Sequence, residues 1–103
     1  MLERDVEKRL HRPIKDLGGM YLKFVCPSFT GVPDRLILLP GARLVFVELK
    51  KPGGKERPRQ VYVQERIRRL GFTVFSSVDT PERIQEVIDY CKREVEADAV
   101  QTL

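Results

Sequence analysis

The chain has 103 residues, is 42% hydrophobic, lacks tryptophan and carries a formal net charge of +4. That length holds one domain with one modest core, which excludes a second domain, a long lid and a pocket enclosing a large substrate. A single histidine, and two cysteines with no C-x-x-C pair, exclude a zinc centre built from Cys and His.

Leu2, Val6, Leu10, Ile14 and Leu17 recur every three or four residues, the spacing of one buried face of a first helix. Gly18-Gly19 closes it, since glycine tolerates the left-handed conformation of a helix end. Met20 to Val25 reads as a strand and Pro27 to Pro33 as a loop. Asp34 to Leu39 and Arg43 to Lys50 are two apolar runs joined at Pro40-Gly41, the pattern of an antiparallel hairpin. Lys51 to Pro58 is a flexible basic loop, and Pro58 opens a second helix that runs from Arg59 to Leu70 and stops at Gly71.

Phe72 to Ser77 is the last strand. Asp79-Thr80-Pro81-Glu82 is a helix start, with a third helix to about Glu96 and residues 97–103 as a frayed tail. The order is α-β-β-β-α-β-α across a single domain spanning 1–103. A strand-helix-strand passage through the second helix makes its flanking strands parallel. The expected class is α/β: a small mixed β-sheet flanked by helices. No apolar run approaches the roughly 20 residues that cross a bilayer, and Met1-Leu2-Glu3-Arg4-Asp5 has no apolar segment of signal type. The expectation is an intracellular protein with no membrane partner.

Charge is unevenly placed. Residues 50–70 hold eight bases against two acids, whereas residues 79–103 hold three bases against seven acids. A basic segment of this kind suits a polyanion, most commonly DNA or RNA; a solvated helix face is the competing reading.

The chemistry lies in the hairpin. Asp34 and Glu48 fall on its two arms at nearly equal distances from the turn, so they are close to opposite each other. Neighbouring strands are about 4.8 Å apart, so two carboxylates there could share one divalent cation. Alternation places Glu48 and Lys50 on one face and turns Leu49 into packing, leaving the Leu49 carbonyl as a further hard oxygen ligand. Phosphodiester hydrolysis calls for this set: a cation to neutralise the phosphate and acidify a water, and a lysine beside the nucleophile or the developing charge. An exposed Asp and a Glu/Lys pair on a solvated edge strand is the bland alternative. Glu-x-Lys alone would favour it; Gly-x-Pro-Asp at the matching hairpin distance reverses the balance.

Gly31-Val32-Pro33-Asp34-Arg35, Phe46-Val47-Glu48-Leu49-Lys50 and the downstream Gln60 resemble the PD-(D/E)XK nuclease superfamily, and within it the VRR-NUC family. The similarity extends over nearly the whole chain. It implies a restriction-endonuclease-like fold, Mg²⁺ or Mn²⁺ dependence, and cleavage of DNA that leaves a 5′-phosphate. It assigns catalytic roles to Asp34, Glu48, Lys50 and Gln60. It also implies a metal ligand on the first helix, where Glu3 and Glu7 share a face. Similarity to Holliday-junction resolvases favours Glu3, with Glu7 as the alternative.

Lys51, Lys55, Arg57 and Arg59 follow the lysine of the motif directly, and Arg66 and Arg69 continue the stripe along the second helix; these are the candidate DNA contacts. Lys23 and Arg35 are weaker candidates of the same kind. By spacing, Tyr21, Phe24, Phe29, Phe46, Tyr62, Phe72, Phe75 and Tyr90 are mostly core. A non-cleaving DNA-binding module of the same fold is the alternative function; it would be expected to lose Asp34, Glu48 or Lys50, and all three are present. A protein-interaction domain using the acidic third helix leaves the ordered acids and lysine unexplained. Duplex DNA has two backbones to cut, and two-fold dimers are the commonest oligomers. With the resolvase resemblance, this gives the expectation of a homodimer acting on branched DNA of Holliday-junction type. Val74, Phe75, Val78, Ile84, Val87, Ile88 and Cys91 are the apolar material available for its interface, with ordinary core the expected fate of most of them.

Overall fold

Val6, Leu10 and Ile14 are fully buried, so the stripe read from the sequence is the inner face of helix α1 (Glu3–Asp16). The structure, a computed structural model, describes residues 3–50 and 54–102, with side chains through 97. α1 ends in a Schellman motif: the Gly18 amide donates to the Lys15 carbonyl at 2.9 Å and the Gly19 amide to that of Ile14 at 3.0 Å. Gly18 takes φ +84°, and a Cβ on Gly19 would come within 2.6 Å of the Leu38 carbonyl oxygen. The glycine pair thus both ends the helix and lets the chain pass close against the sheet.

The remaining elements are β1 (Met20–Lys23), β2 (Arg35–Leu39), β3 (Arg43–Leu49), α2 (Pro58–Arg69), β4 (Thr73–Val78) and α3 (Pro81–Thr102). The order matches the expectation; α3 does not stop near Glu96. Its final stretch, Val95 to Thr102, contains no Gly or Pro and is rich in good helix formers, so nothing interrupts the helix there. α2 closes as α1 does, with the Gly71 amide on the Arg68 carbonyl at 2.9 Å and that of Phe72 on Ile67 at 3.4 Å.

The four strands lie in the order β1-β2-β3-β4. β1, β2 and β3 are successively antiparallel, and β4 is parallel to β3 after the passage through α2. The hairpin turn places Gly41 at φ 83° and Ala42 at φ 59°. Between β3 and β4 the register shifts, Val47 facing Phe75 but Leu49 facing Val78. Ser77, at φ 53°, lies within this irregularity. A bulge of this kind twists a strand locally and re-aims its side chains; here it lies beside Glu48.

Alternation divides the sheet into two faces. Tyr21, Ile37, Leu39, Val45, Val47, Leu49 and Val78 join Val6, Leu10 and Ile14 of α1 and Ile84, Val87, Ile88 and Cys91 of α3 in one core. Burial pushes the Cys91 thiol up to about 12. The opposite face carries Met20, Leu22, Leu36, Leu38, Leu44 and Phe46, paired across the strands in the observed register. α2 packs near β4, and Met20, Leu22, Leu38 and Phe72 remain exposed.

The apolar residues of β4 and α3 that could have formed an interface are core, the fate expected for most of them. Val74, Val78, Ile84, Val87, Ile88 and Cys91 are buried within the domain, and Phe75 packs edge-on against Tyr90 at 5.4 Å. Val78 and the α3 residues form the core on one side of the sheet, whereas Val74 is buried on the opposite face, paired with Phe46. No helix among the described residues is long and apolar enough to cross a membrane.

Candidate active site

The hairpin register pairs Arg35 with Val47, and one step outward it sets Asp34 against Glu48. The two residues lock each other in place. The Asp34 amide donates to Glu48 Oε2 at 2.9 Å, and the Leu49 amide donates to Asp34 Oδ1 at 3.0 Å. Each carboxylate thus accepts a main-chain hydrogen bond from the opposite arm, which fixes its direction without a long side-chain scaffold.

Gln60, at the start of α2, completes the group. Its Nε2 donates to Glu48 Oε1 at 2.8 Å, while its Oε1 accepts from Lys50 Nζ at 3.1 Å. The same Oε1 accepts the Arg57 amide at 2.9 Å, capping the first turn of α2. One amide therefore ends the basic loop, starts the helix and joins the acid and lysine of the hairpin. Lys50 Nζ also lies 3.7 Å from Glu48 Oε1. The structure brings together Asp34, Glu48, Lys50 and Gln60, four residues separated by up to 26 positions in the sequence.

Burial raises both carboxyls of the site and leaves two acids close together and poorly solvated. Glu48 is 5% exposed, and burial, reinforced by the charge of Asp34, pushes its carboxyl up to about 7. The Asp34 carboxyl is also raised, again chiefly by burial, with the Leu49 amide and the Arg35 guanidinium pulling the other way. Lys50 partly offsets Glu48. Two carboxylates beside a main-chain carbonyl are the hard oxygen donors that Mg²⁺ or Mn²⁺ takes, with waters and substrate phosphate filling the rest of the shell. The donor set fits such an ion.

The first-helix glutamates stand further off. Among the described residues no three His, Cys, Asp or Glu side chains converge as a metal cage. Glu7 Oε1 lies 3.5 Å from Arg35 Nε. Glu3 acts on Asp34 through its charge, raising its carboxyl.

Arg35 does not follow its expectation as a DNA contact. It is buried at 8% exposure, donates to the Asp34 carbonyl at 3.0 Å and stands 3.5 Å from Asp34 Oδ2. Its place at the start of β2, pointing into the α1 face, makes it a brace between Glu7 and Asp34. Lys23 is exposed at the end of β1. Lys51 lies outside the described residues, while Lys55, Arg57, Arg59 and Arg66 are exposed. Arg57, Arg59 and Gln60 line a cleft of about 360 Å³ with Thr30, Gly31 and Val32 of the preceding loop, which puts two of the proposed DNA contacts beside the hairpin site.

Two features were missed in the sequence. Gln64 is buried and donates to Glu56 Oε1 at 3.2 Å, tying the basic loop to α2; a single glutamine in a polar helix gives no signal of this. Tyr62, Phe29 and Phe72 are exposed rather than core. For Tyr62, the flanking Val61 and Val63 obscured which helix face was buried.

No family model matches the chain. A phage protein named "Putative nuclease p44", from Acyrthosiphon pisum secondary endosymbiont phage 1, is 43% identical over 72 residues, 70% of this chain and 77% of that protein. A solved structure described as a VRR-NUC domain is similar with a TM-score of 0.75 and 31% identity, over 84% of this chain and 94% of that one.

Proposed function

This chain belongs to the VRR-NUC family of nucleases, and from that premise we propose that it is a divalent-metal-dependent DNA endonuclease that hydrolyses phosphodiester bonds at the Asp34–Glu48–Lys50 site. The observation that carries the reading is Gln60, which holds the catalytic acid and lysine side by side, with Asp34 hydrogen-bonded across the hairpin.

Asp34 and Glu48 would hold Mg²⁺ or Mn²⁺ together with the Leu49 carbonyl. Glu3 is the preferred first-helix ligand, because Glu7 is engaged by Arg35. The chemistry supplied by such an ion is neutralisation of charge at the scissile phosphate and a more acidic bound water. Lys50 keeps Nζ within reach of that phosphate and can donate a hydrogen bond to the oxygen on which charge develops. Gln60 limits Lys50 to one direction, so little reorganisation accompanies the reaction. Arg57 and Arg59 hold the neighbouring phosphates of the strand in the adjoining cleft, and Lys51, Lys55 and Arg66 extend this basic track.

We extend the reading to a homodimer that cuts branched DNA of Holliday-junction type inside the cell. The exposed apolar face of β1 and β2, with Met20, Leu22 and Leu38, lies on the same side of the sheet as Glu48 by strand alternation. A second copy seated there would bury that face and set two sites on one side of the assembly. Cleavage of linear, flapped and four-way DNA, each with Mg²⁺, with Mn²⁺ and in EDTA, tests the proposal. Metal-dependent cleavage with preference for the four-way substrate is expected; full activity in EDTA would remove the metal, and equal cleavage of all three would remove the structural preference.

A further inference from the structure

The loop before Asp34 and the outer side of α2 form a second feature that phosphodiester hydrolysis alone does not use. Phe29, Val32, Val63, Arg66, Ile67 and Leu70 line an apolar cavity of about 210 Å³. Val32 is also a wall of the cleft that contains Arg57, Arg59 and Gln60, so the apolar cavity continues that cleft away from the site. Phe29 and Tyr62 are exposed, and the guanidinium of Arg59 lies 4.7 Å from the centroid of the first ring and 5.6 Å from that of the second. Arg66 lies 5.9 Å from the Tyr62 centroid.

This surface is built rather than incidental. Arg59 Nε donates to the Thr30 carbonyl at 3.1 Å, pinning the loop to the helix. Gly31 sits at φ +93°, and a Cβ there would come within 3.0 Å of both Arg59 Cγ and Val63 Cγ2. The loop reaches α2 only because that residue is glycine. Two exposed rings, an apolar cavity and two guanidinium groups favour an occupant with both a flat π face and adjoining negative charge. A nucleotide has both. A purely apolar peptide would not need the arginines, and a paired duplex keeps its bases stacked out of reach.

We propose that the cavity between the 27–33 loop and α2 receives an unpaired nucleobase of the DNA strand being cut, with Arg57 and Arg59 on its phosphates. This deepens the nuclease reading and rests on it. The substrate class would be DNA with a base free to leave the stack beside the scissile phosphate, as at a branch point or a bulge.

The test is fluorescence anisotropy with two labelled duplexes, in Ca²⁺ without Mg²⁺. One carries a single unpaired adenine, and the other an abasic residue at the same position. The wild-type protein should bind the adenine duplex about tenfold more tightly, the effect of one base stacked on aromatic side chains. Phe29→Ala and Tyr62→Ala should each lose most of that preference while keeping the affinity for the abasic duplex and the melting temperature. Tyr62→Phe should retain the preference. Equal wild-type affinity for the two duplexes, or equal losses on both in the alanine variants, would overturn the base pocket and leave metal-dependent cleavage untouched. Failure to bind either duplex would overturn the nuclease reading as well.

Discussion

Gln60 donates a hydrogen bond to Glu48 at 2.8 Å while its own carbonyl oxygen accepts from Lys50 at 3.1 Å. The side chain that caps α2 therefore also sets the spacing of the proposed catalytic acid and lysine. Any change at this position acts on the helix start and on the site together.

Gln60→Ala should lower cleavage by about 10- to 100-fold, the range seen when a group orienting a metal ligand is removed. It should also lower stability by about 1 kcal/mol through removal of the cap. Single-turnover rates and thermal melts on the same preparation separate the two effects. A rate within twofold of wild type would show that Glu48 and Lys50 hold their positions unaided.

The raised Glu48 carboxyl makes the metal-free protein sensitive to pH. Between its ordinary value of 4.5 and about 7, the folded chain binds a proton that the unfolded chain releases. This group's contribution to stability is thus complete below the unfolded value and is lost as pH rises through the folded one. In EDTA the melting temperature should fall from about pH 5 to about pH 8, and Glu48→Gln should flatten that fall. Added Mg²⁺ should raise the melting temperature more at the higher pH, where the carboxylates are already ionised. A Mg²⁺ effect independent of pH would contradict the assignment of Glu48 to the metal.

Much of this was legible in the sequence because it rests on local rules. The two glycine helix ends, the hairpin turn and the strand period fixed the element order and set Asp34 opposite Glu48. The lysine was placed by the same alternation. What the sequence could not give was which apolar surfaces meet. Val87 and Leu22 are both strongly hydrophobic, yet one is buried under the sheet and the other lies exposed on its far face. Arg35 read as a surface base because nothing local signals that Glu7 and Asp34 bracket it. Gln60 was found through family resemblance; its double role as cap and bridge depends on a helix start brought against the hairpin from outside it.

The basic track should show in the salt dependence of binding. Lys55→Ala/Arg57→Ala/Arg59→Ala should weaken DNA binding and lower the salt slope by about 0.9 for each phosphate no longer neutralised. Anisotropy titrations across a range of salt concentrations measure this. An unchanged slope would mean that these residues do not touch phosphate.

Leu22→Glu and Leu38→Glu should each split the proposed homodimer, since both side chains lie on the exposed apolar sheet face. Sedimentation at micromolar concentration should show a dimer for wild type and a monomer for each variant, with folding preserved. A wild-type monomer would remove the second active site and, with it, the paired cuts proposed at a junction.

At the proposed site Lys50 serves the chemistry and not the grip on DNA. Single-turnover cleavage of a four-way junction in Mg²⁺, measured beside the dissociation constant for the same DNA, tests it in wild type and Lys50→Ala. The predicted result is a fall in cleavage of at least about 100-fold with affinity changed by less than about threefold, since Lys50 Nζ is held by Gln60 and Glu48 inside the site. Cleavage that survives in Lys50→Ala, or falls only in proportion to binding, would contradict it.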